Sequence, residues 1–270
     1  MSGGNVARER AAAKPQARGE RADEPLLVVD HLFKSFDGVE AVRDVSFTVG
    51  ARDVVAMIGP NGAGKTTCFN LVHGQLRPDA GDIRLAGRTI AGLPTHAIAH
   101  RGIGRTFQVP ATFASMTVRE AVALALAADA RRDARIVGGP LQVRSSAIER
   151  QLARLQADDI AEAHCGTLAY GDAKRLEIAL ALVGAPRLLL MDEPTAGMAP
   201  RARRDLMQLA LGLAREHEAA ILFTEHDMDI VFGFAERVVV LDRGAVIAAG
   251  VPDEVRANPA VQAAYLGVPA

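Results

Sequence analysis

The stretch "DVVAMIGPNGAGKTTCFN", residues 53–70, joins an apolar run, a glycine-rich turn and a helical pattern without interruption. The run "DVVAMI" has the short, apolar composition of a buried β-strand. Residues 59–66 match the pattern G-x-x-x-x-G-K-[ST] in full, directly after that strand and directly before a helix. Because this context distinguishes a phosphate-binding loop from a chance glycine-rich turn, the stretch predicts an α/β fold built around such a loop.

The loop is predicted to bind the phosphates of a nucleotide. Its glycines allow the backbone to curl until successive N–H groups point inward at the phosphates. The Lys65 ammonium is expected to reach the β- and γ-phosphates, and the Thr66 hydroxyl is expected to bind a Mg²⁺ ion that bridges them. The predicted nucleotide-binding residues of the loop are Gly59, Pro60, Asn61, Gly62, Ala63, Gly64, Lys65, Thr66 and Thr67.

A second motif supplies carboxylates for the same chemistry. The segment "RLLLMDEP", residues 187–194, places an apolar strand directly before Asp192 and Glu193, which is the Walker B pattern. Asp192 is expected to hold Mg²⁺ through water, and Glu193 is expected to polarise the water that attacks the phosphate. A solvated Asp-Glu pair at a strand end is the alternative, which the complete phosphate-binding loop makes the weaker explanation.

Further apolar runs, each bounded by turn or charged residues, predict the other strands. Continuous runs such as "RLLLMD" and "AAILFTE" are typical of strands buried on both faces, as in a parallel sheet. Helical patterns lie between the runs, and residues 109–164 carry almost no strand signal. We therefore predict one α/β domain over residues 25–267, with an inserted helical subdomain over residues 109–183 and a short C-terminal end at residues 268–270.

Composition limits the functional classes. The 270 residues carry a net charge of −1, which gives no indication of bulk affinity for nucleic acid or anionic membranes. Residues 1–24 have almost no large apolar side chain and are predicted to be a disordered tail. No apolar run approaches the length of a membrane span, and the N-terminus has no signal-peptide core. The two cysteines, Cys68 and Cys165, are predicted to be buried thiols rather than a disulfide.

The segment "LAYGDAKRLEIAL", residues 168–180, runs from a glycine turn into a strongly helical pattern. A helix N-terminus preceded by glycine is an anion site, because free backbone N–H groups and the helix dipole both favour negative charge. Asp172 nevertheless places a carboxylate at this point, and we expect it to cap the helix rather than to face phosphate. No serine, cysteine or metal-ligand cluster accompanies the turn, so these residues alone assign it no chemistry.

The order of the motifs resembles that of ABC-transporter ATPases: the loop at Gly59, "TFQ" with Gln108, the turn at Leu168, the carboxylate at Asp192 and "TEHD" with His226. The resemblance covers residues 26–267. It implies a P-loop NTPase fold of the ABC ATPase type, with a mostly parallel core sheet, an antiparallel β edge and an inserted helical subdomain. It also implies an ATPase that uses ATP and Mg²⁺, in which two subunits sandwich two ATP molecules head to tail.

This resemblance gives the turn at Leu168 a role. The turn is similar to the family's signature, most often written LSGGQ, which contacts the γ-phosphate of the ATP held by the partner subunit. Leu168, Ala169, Tyr170, Gly171 and Asp172 are therefore expected to bind nucleotide across a dimer. Ala169, Tyr170 and Asp172 depart from the common Ser, Gly and Gln, whereas Gly171, where the backbone must come closest, is retained.

Three further roles follow from the resemblance. Phe36 is expected to stack on adenine, with a core phenylalanine as an equal alternative. Gln108 is expected to sense Mg²⁺ or water and to link to the helical subdomain, and His226 is expected to contact the γ-phosphate. The predicted catalytic set is Lys65, Gln108, Glu193 and His226. The predicted metal-binding set is Thr66, Gln108 and Asp192.

The segments "LAYGD", "DEPTAGM", "TEHDMDIVF" and "PDEVRANPAVQAAYLG" resemble the ATPases of branched-chain amino-acid importers. That resemblance implies a second ATPase subunit and an integral-membrane permease as partners, with a periplasmic or extracellular binding protein acting indirectly. It places the chain at the cytoplasmic face of the membrane and implies no nucleic-acid partner. Residues 108–122, which include Phe113 and Met116, are predicted to dock the permease, with packing on their own subdomain as the alternative.

Two other readings stay open. Motors of the same family serve other substrates, such as urea or lipopolysaccharide. A soluble nucleotide-gated clamp would be a different class of protein. The clamp would be expected to show a long coiled-coil insertion, two fused ATPase halves or a basic face, and none of these is visible in the sequence.

Overall fold

The computed structural model describes residues 24–106, 114–133, 145–155 and 157–266. The predicted site residue Gln108 and the predicted docking residue Phe113 lie outside these ranges, as do residues 1–23 of the predicted tail and residues 268–270. Within the described ranges, no helix is both long enough and apolar enough to cross a bilayer.

Most of the strands follow the predicted apolar runs, and together the strands form two sheets. In chain order they are β1 Leu27–Phe36, β2 Val39–Val49, β3 Val54–Ile58, β4 Ala80–Leu85, β5 Arg88–Thr89, β6 Ile103–Thr106, β7 Leu188–Asp192, β8 Ala220–Thr224, β9 Arg237–Asp242 and β10 Ala245–Gly250. One sheet has the order β2-β1-β4-β5 and is antiparallel. The other has the order β10-β9-β3-β8-β7-β6 and is parallel from β9 to β6, with β10 antiparallel at its edge.

Helices cover both faces of the mostly parallel sheet. In chain order they are α1 Lys65–Val72, α2 Thr95–His100, α3 Val118–Asp133, α4 Ser145–Arg154, α5 Tyr170–Leu182, α6 Pro200–Glu216, α7 Met228–Phe234, α8 Pro252–Ala257 and α9 Pro259–Leu266. Helices α3 and α4 lie in the part of the chain where the sequence shows almost no strand signal.

Alternation along β3 shows how the mostly parallel sheet is buried. Val54, Ala56 and Ile58 belong to a core cluster that includes residues of α3 to α8. Val55 and Met57 point to the opposite cluster, which includes residues of α1, α2 and the antiparallel sheet. Every residue of β3, β7 and β8 is buried, which explains why these strands are continuous apolar runs rather than alternating ones. The predicted fold class is confirmed.

The two cysteines lie in different clusters and both are free, buried thiols, as predicted. Burial raises the pKa of Cys68 to about 12. A thiol with so high a pKa stays protonated at neutral pH, so Cys68 packs as a small apolar side chain on α1.

The carboxyl ends of three neighbouring strands place the candidate site. Strands β3, β8 and β7 are adjacent and parallel, so the loops that follow them leave the same edge of the sheet. These loops begin at Gly59, Glu225 and Glu193, respectively. Ligands bind at this edge in open α/β sheets, because the loops after the strands converge there.

The structure corrects one local expectation, which is the role of Asp172. Helix α5 begins at Tyr170, with Ala169 as its N-cap and no side-chain capping hydrogen bond, so Asp172 does not cap the helix. The helix starts earlier than the sequence pattern suggested and includes Gly171. Asp172 therefore lies in the first turn, 3.6 Å from the Arg175 guanidinium, where its charge still complements the helix dipole.

Candidate functional site

Gly59 and Gly64 fix the phosphate-binding loop in a position that no larger residue would permit. A Cβ atom at Gly59 would lie 2.2 Å from the carbonyl oxygen of Leu241, and one at Gly64 would lie 2.5 Å from that of Ala41. Gly64 also has a left-handed φ of 100°. The loop is therefore pressed against β9 and β2, and α1 begins immediately after it at Lys65.

The start of α1 has the features of an anion site. Gly64 is the N-cap and contributes no side-chain capping bond, so no side chain of the cap competes for the first backbone N–H groups of the helix. Asn61, Gly62 and Thr66 are exposed around this point, and Thr67 is half-buried. Backbone donors and the positive end of the helix dipole together suit the phosphates of a nucleotide.

Lys65 places a buried cation inside the loop. Its Nζ donates hydrogen bonds to the carbonyl oxygens of Gly59, at 2.7 Å, and Pro60, at 3.2 Å. Burial lowers the pKa of Lys65, and the nearby carboxylates of Glu193 and Asp192 oppose that shift. The ammonium is thus held between the loop carbonyls and the Walker B carboxylates, which is a suitable place for a phosphate oxygen to meet it.

Thr224, at the end of β8, joins the two predicted carboxylate positions. Its hydroxyl donates to Asp192 Oδ1 at 2.8 Å and accepts from the backbone N–H of Glu193 at 2.9 Å. Glu193 has a left-handed φ of 45°, a conformation that costs a non-glycine residue about 1 kcal/mol or more. The bond to Thr224 holds this turn, so the Glu193 side chain leaves the strand end in a fixed direction.

Glu193 and His226, which were both expected at the γ-phosphate, are in direct contact. The distance between Glu193 Oε1 and His226 Nε2 is 2.8 Å. Glu193 follows β7 and His226 follows β8, so the contact depends on the pairing of these two strands. The side chains are 21% and 45% exposed, respectively, which leaves the pair accessible to water and to a substrate at the edge of the sheet.

Asp192 and Thr66 supply oxygen ligands of the kind that Mg²⁺ prefers, a carboxylate and a hydroxyl. Asp192 is buried at the end of β7. Its negative charge acts to raise the pKa of Lys65, which lies on the first turn of α1 together with Thr66. The donor set therefore fits a magnesium ion bound together with nucleotide phosphates.

The N-terminus of α5, which carries the predicted signature turn, is partly exposed. Among the described residues, a Cβ atom at Gly171 would have only Met198 Cε within 4 Å, at 3.6 Å, so their packing does not require a glycine there. Leu168 packs against the core, and the neighbouring Tyr170 is 42% exposed. The N-terminus of α5 is thus an accessible helix end, and the packing of the described residues does not explain its glycine.

Phe36 lies on the surface, so the alternative of a core phenylalanine is wrong. The side chain is 40% exposed at the end of β1, and Lys34 Nζ is 5.4 Å from its ring centroid. The hairpin formed with β2 also carries Ala41, whose carbonyl oxygen is the close neighbour of Gly64. An exposed aromatic ring on a hairpin that contacts the phosphate-binding loop is compatible with stacking on a base.

Three residues at the site were given no role from the sequence: Arg105, Thr224 and Tyr265. Arg105, near the end of β6, donates to Asp192 Oδ2 at 3.3 Å. Tyr265 of α9 packs against the core cluster, and its phenol lies near the Gly59 backbone, where burial raises its pKa above the usual range. Thr224 is the first residue of the quoted motif "TEHD", and Arg105 directly precedes the quoted motif "TFQ". These positions are the sequence signal that could have identified both residues.

Comparison with known proteins shows the class to which this fold and site belong. The family model "ABC transporter" matches residues 42–196, so the chain belongs to the ABC transporter family and is an ATPase of the ATP-binding-cassette type. A second model, "Branched-chain amino acid ATP-binding cassette transporter", matches residues 245–270. The resemblance inferred from the sequence motifs is confirmed.

The chain is similar to ATP-binding proteins of branched-chain amino acid transport. It is 40% identical to LivG of Salmonella typhimurium over 253 residues and 42% identical to BraF of Pseudomonas aeruginosa over 252 residues, covering 90% of this chain and 98% of each relative. It is 36% identical to the lipopolysaccharide export ATP-binding protein LptB of Acidithiobacillus ferridurans over 242 residues, covering 90% of this chain and 97% of that protein.

Solved structures support the same class. The ADP conformation of an ATP-binding cassette of an ABC transporter matches 91% of this chain and 100% of its own, with a TM-score of 0.79 and 29% identity. A nucleotide-free ATP-binding cassette matches with a TM-score of 0.78 and 29% identity, covering 90% of this chain and 100% of that one.

Proposed function

We propose that this chain is the ATP-hydrolysing motor subunit of an importer for branched-chain amino acids, acting as a nucleotide-sandwich dimer on a permease at the cytoplasmic face of the membrane. The observation that carries the hydrolytic part is the convergence of Lys65, Asp192, Glu193 and His226 at one edge of the sheet. The amino-acid part rests on the similarity to LivG and BraF and on the family model that matches residues 245–270.

Each residue of the site has a distinct task in hydrolysis. The loop N–H groups and Lys65 bind the phosphates, and Phe36 supports the base. Mg²⁺, when bound by Thr66 and Asp192, offsets the negative charge that develops on the phosphates. The Glu193 carboxylate, oriented by His226 Nε2, polarises the attacking water and accepts its proton. Gln108, outside the described residues, is assigned the metal-sensing position by family resemblance alone.

The accessible N-terminus of α5 supports the proposal of a dimer, because it could bind the ATP of a second subunit. Among the described residues, a Cβ atom at Gly171 would make only an ordinary contact with Met198, and the helix end offers backbone N–H groups and a positive dipole. A second ATPase subunit would bring its own ATP to this helix end, so that each active site is completed by the signature turn of the other subunit. Leu168 to Asp172 then bind nucleotide without taking part in proton transfer.

A pair of neighbouring substitutions tests the signature turn. We expect Asp172→Gln to retain ATPase activity within about threefold of wild type, because only a helix-dipole interaction and an exposed ion pair are lost. We expect Gly171→Asp to lose activity by about 100-fold, because a side chain and a negative charge would face the γ-phosphate of the partner's ATP. The assay is steady-state phosphate release, measured at a series of protein concentrations. Equal activity of the two variants would show that this turn never meets nucleotide.

The membrane role is tested in cells. A permease that depends on this motor should co-purify with it, and uptake of radiolabelled leucine, isoleucine or valine should require Lys65. We expect Lys65→Ala to reduce uptake to background although the subunit is still expressed and still co-purifies. Urea uptake and lipopolysaccharide export are measured in the same cells. Leucine uptake that survives Lys65→Ala, together with loss of one of the other two processes, would reassign the substrate.

A further inference from the structure

Asp192 is a buried carboxylate that needs a compensating charge before any metal binds. Its side chain is only 9% exposed at the end of β7. An ionised carboxylate without a partner is strongly destabilising in such surroundings. The Arg105 guanidinium, whose side chain is 4% exposed, supplies the opposite charge, with Nη2 3.3 Å from Asp192 Oδ2.

Arg105 is held in place by helix α1, which follows the phosphate-binding loop, and by the turn after that helix. Its Nη1 donates to Gln75 Oε1 at 2.8 Å, and its guanidinium carbon lies 6.0 Å from the centroid of the Phe69 ring on α1. Burial lowers the pKa of Arg105, and the charge of Asp192 opposes that shift. Because an arginine stays protonated in proteins, the pair is ionic, and it joins β6, β7 and the α1 region.

We infer that Arg105 is a positioning residue that acts as the resident counter-cation of Asp192 and thereby sets the Mg²⁺ concentration at which the site binds Mg²⁺-nucleotide. The inference rests on the proposed metal-binding role of Asp192. A guanidinium beside the carboxylate repels a divalent cation and occupies the oxygen that the cation, or its water, would use. The pair stabilises the nucleotide-free site and weakens metal binding at the same time.

Removal of the Arg105 charge should lower the Mg²⁺ concentration that nucleotide binding requires. Arg105→Met keeps an unbranched apolar side chain about as long as the arginine stem and removes the charged guanidinium. We expect the Mg²⁺ concentration that gives half-maximal binding of a fluorescent, non-hydrolysable ATP analogue to fall by about threefold or more. Arg105→Lys, which keeps the charge, should stay within about twofold of wild type. A residue that only supports the fold would raise this concentration when lost.

A matched control exists on the protein surface. Arg84 Nη2 is also 3.3 Å from a carboxylate oxygen, Oδ2 of Asp30, but these side chains are 42% and 46% exposed. Arg84→Met should leave the Mg²⁺ requirement unchanged and should shift the unfolding temperature by about 2 °C or less, because exposed ion pairs contribute little.

Thermal unfolding without nucleotide or Mg²⁺ tests the pair separately from transport and hydrolysis. Arg105→Met should unfold roughly 6–15 °C below wild type, because it removes the guanidinium that pairs with the buried Asp192 carboxylate and leaves that carboxylate with the Thr224 hydroxyl bond and the Lys65 charge. Adding Asp192→Asn to Arg105→Met should recover part of that loss. A double variant no more stable than Arg105→Met would overturn the counter-cation role, as would an unchanged or raised Mg²⁺ requirement in Arg105→Met. A failed uptake assay would not affect either result.

Discussion

Glu193→Gln is expected to bind ATP with nearly wild-type affinity and to hydrolyse it about 10²–10⁴ times more slowly. The amide has the shape of the carboxylate and can still meet His226 Nε2, but it cannot accept the proton of an attacking water. Phosphate release measures the rate, and equilibrium binding of ATP measures the affinity. Because ATP is converted to products only slowly, the variant should also elute as a dimer in the presence of ATP and Mg²⁺.

A surface glutamate provides the control for this substitution. Glu218 is exposed and pairs with Arg52, so Glu218→Gln makes the same chemical change away from the site and should hydrolyse ATP at the wild-type rate. A rate for Glu193→Gln close to that of Glu218→Gln would eliminate Glu193 as the group that activates water. His226→Ala, which removes the 2.8 Å contact, should then be examined as the next candidate.

Lys65→Ala is expected to weaken ATP binding by about 10- to 1000-fold, since it removes the cation that we propose donates hydrogen bonds to the phosphates, each contributing about 1.5–3 kcal/mol. The wild-type Nζ donates hydrogen bonds to the Gly59 and Pro60 carbonyls. It also interacts electrostatically with both Walker B carboxylates, so the ammonium lies at the centre of the site. Isothermal titration with ATP and Mg²⁺ measures the effect.

Loss of packing must be separated from loss of charge at this position, because Lys65 is only 7% exposed. Lys65→Met fills most of the same volume without the ammonium and should bind ATP as poorly as Lys65→Ala while unfolding at a higher temperature than that variant. Wild-type affinity in Lys65→Met would mean that the charge does not meet phosphate. Weak binding only in Lys65→Ala would assign the defect to packing.

The parts of the fold that were predictable are those that local sequence determines. Strands β3, β7 and β8 are buried along their whole length, so their apolar runs are unambiguous. The phosphate-binding loop was predictable because a Cβ atom at Gly59 or Gly64 would lie only 2.2 or 2.5 Å from a backbone carbonyl oxygen, which leaves no room for a side chain. At such positions the residue type alone indicates the local structure.

The parts that were missed depend on contacts between distant segments. Strand β6 is the short sequence "IGRT", which has no apolar run and exists because it pairs with β7 from Leu188 to Met191. The start of α5 at Tyr170 is fixed by the structure around it, whereas Asp172 satisfies the local rules for a cap without being one. The pairing of Arg105 with Asp192 joins residues 87 positions apart, which spacing alone does not reveal.

The most direct test of the account is ATP-driven transport by the purified assembly in liposomes. The permease and this subunit are reconstituted together. ATP and Mg²⁺ are enclosed in liposomes whose inner surface carries the ATPase subunit, and labelled leucine is added outside together with the binding protein. We expect leucine to accumulate on the ATP side with the wild-type subunit and to stay at background with Glu193→Gln. Normal ATP hydrolysis with no leucine movement, or movement away from the ATP side, would contradict the assignment of this chain as the motor of a branched-chain amino-acid importer.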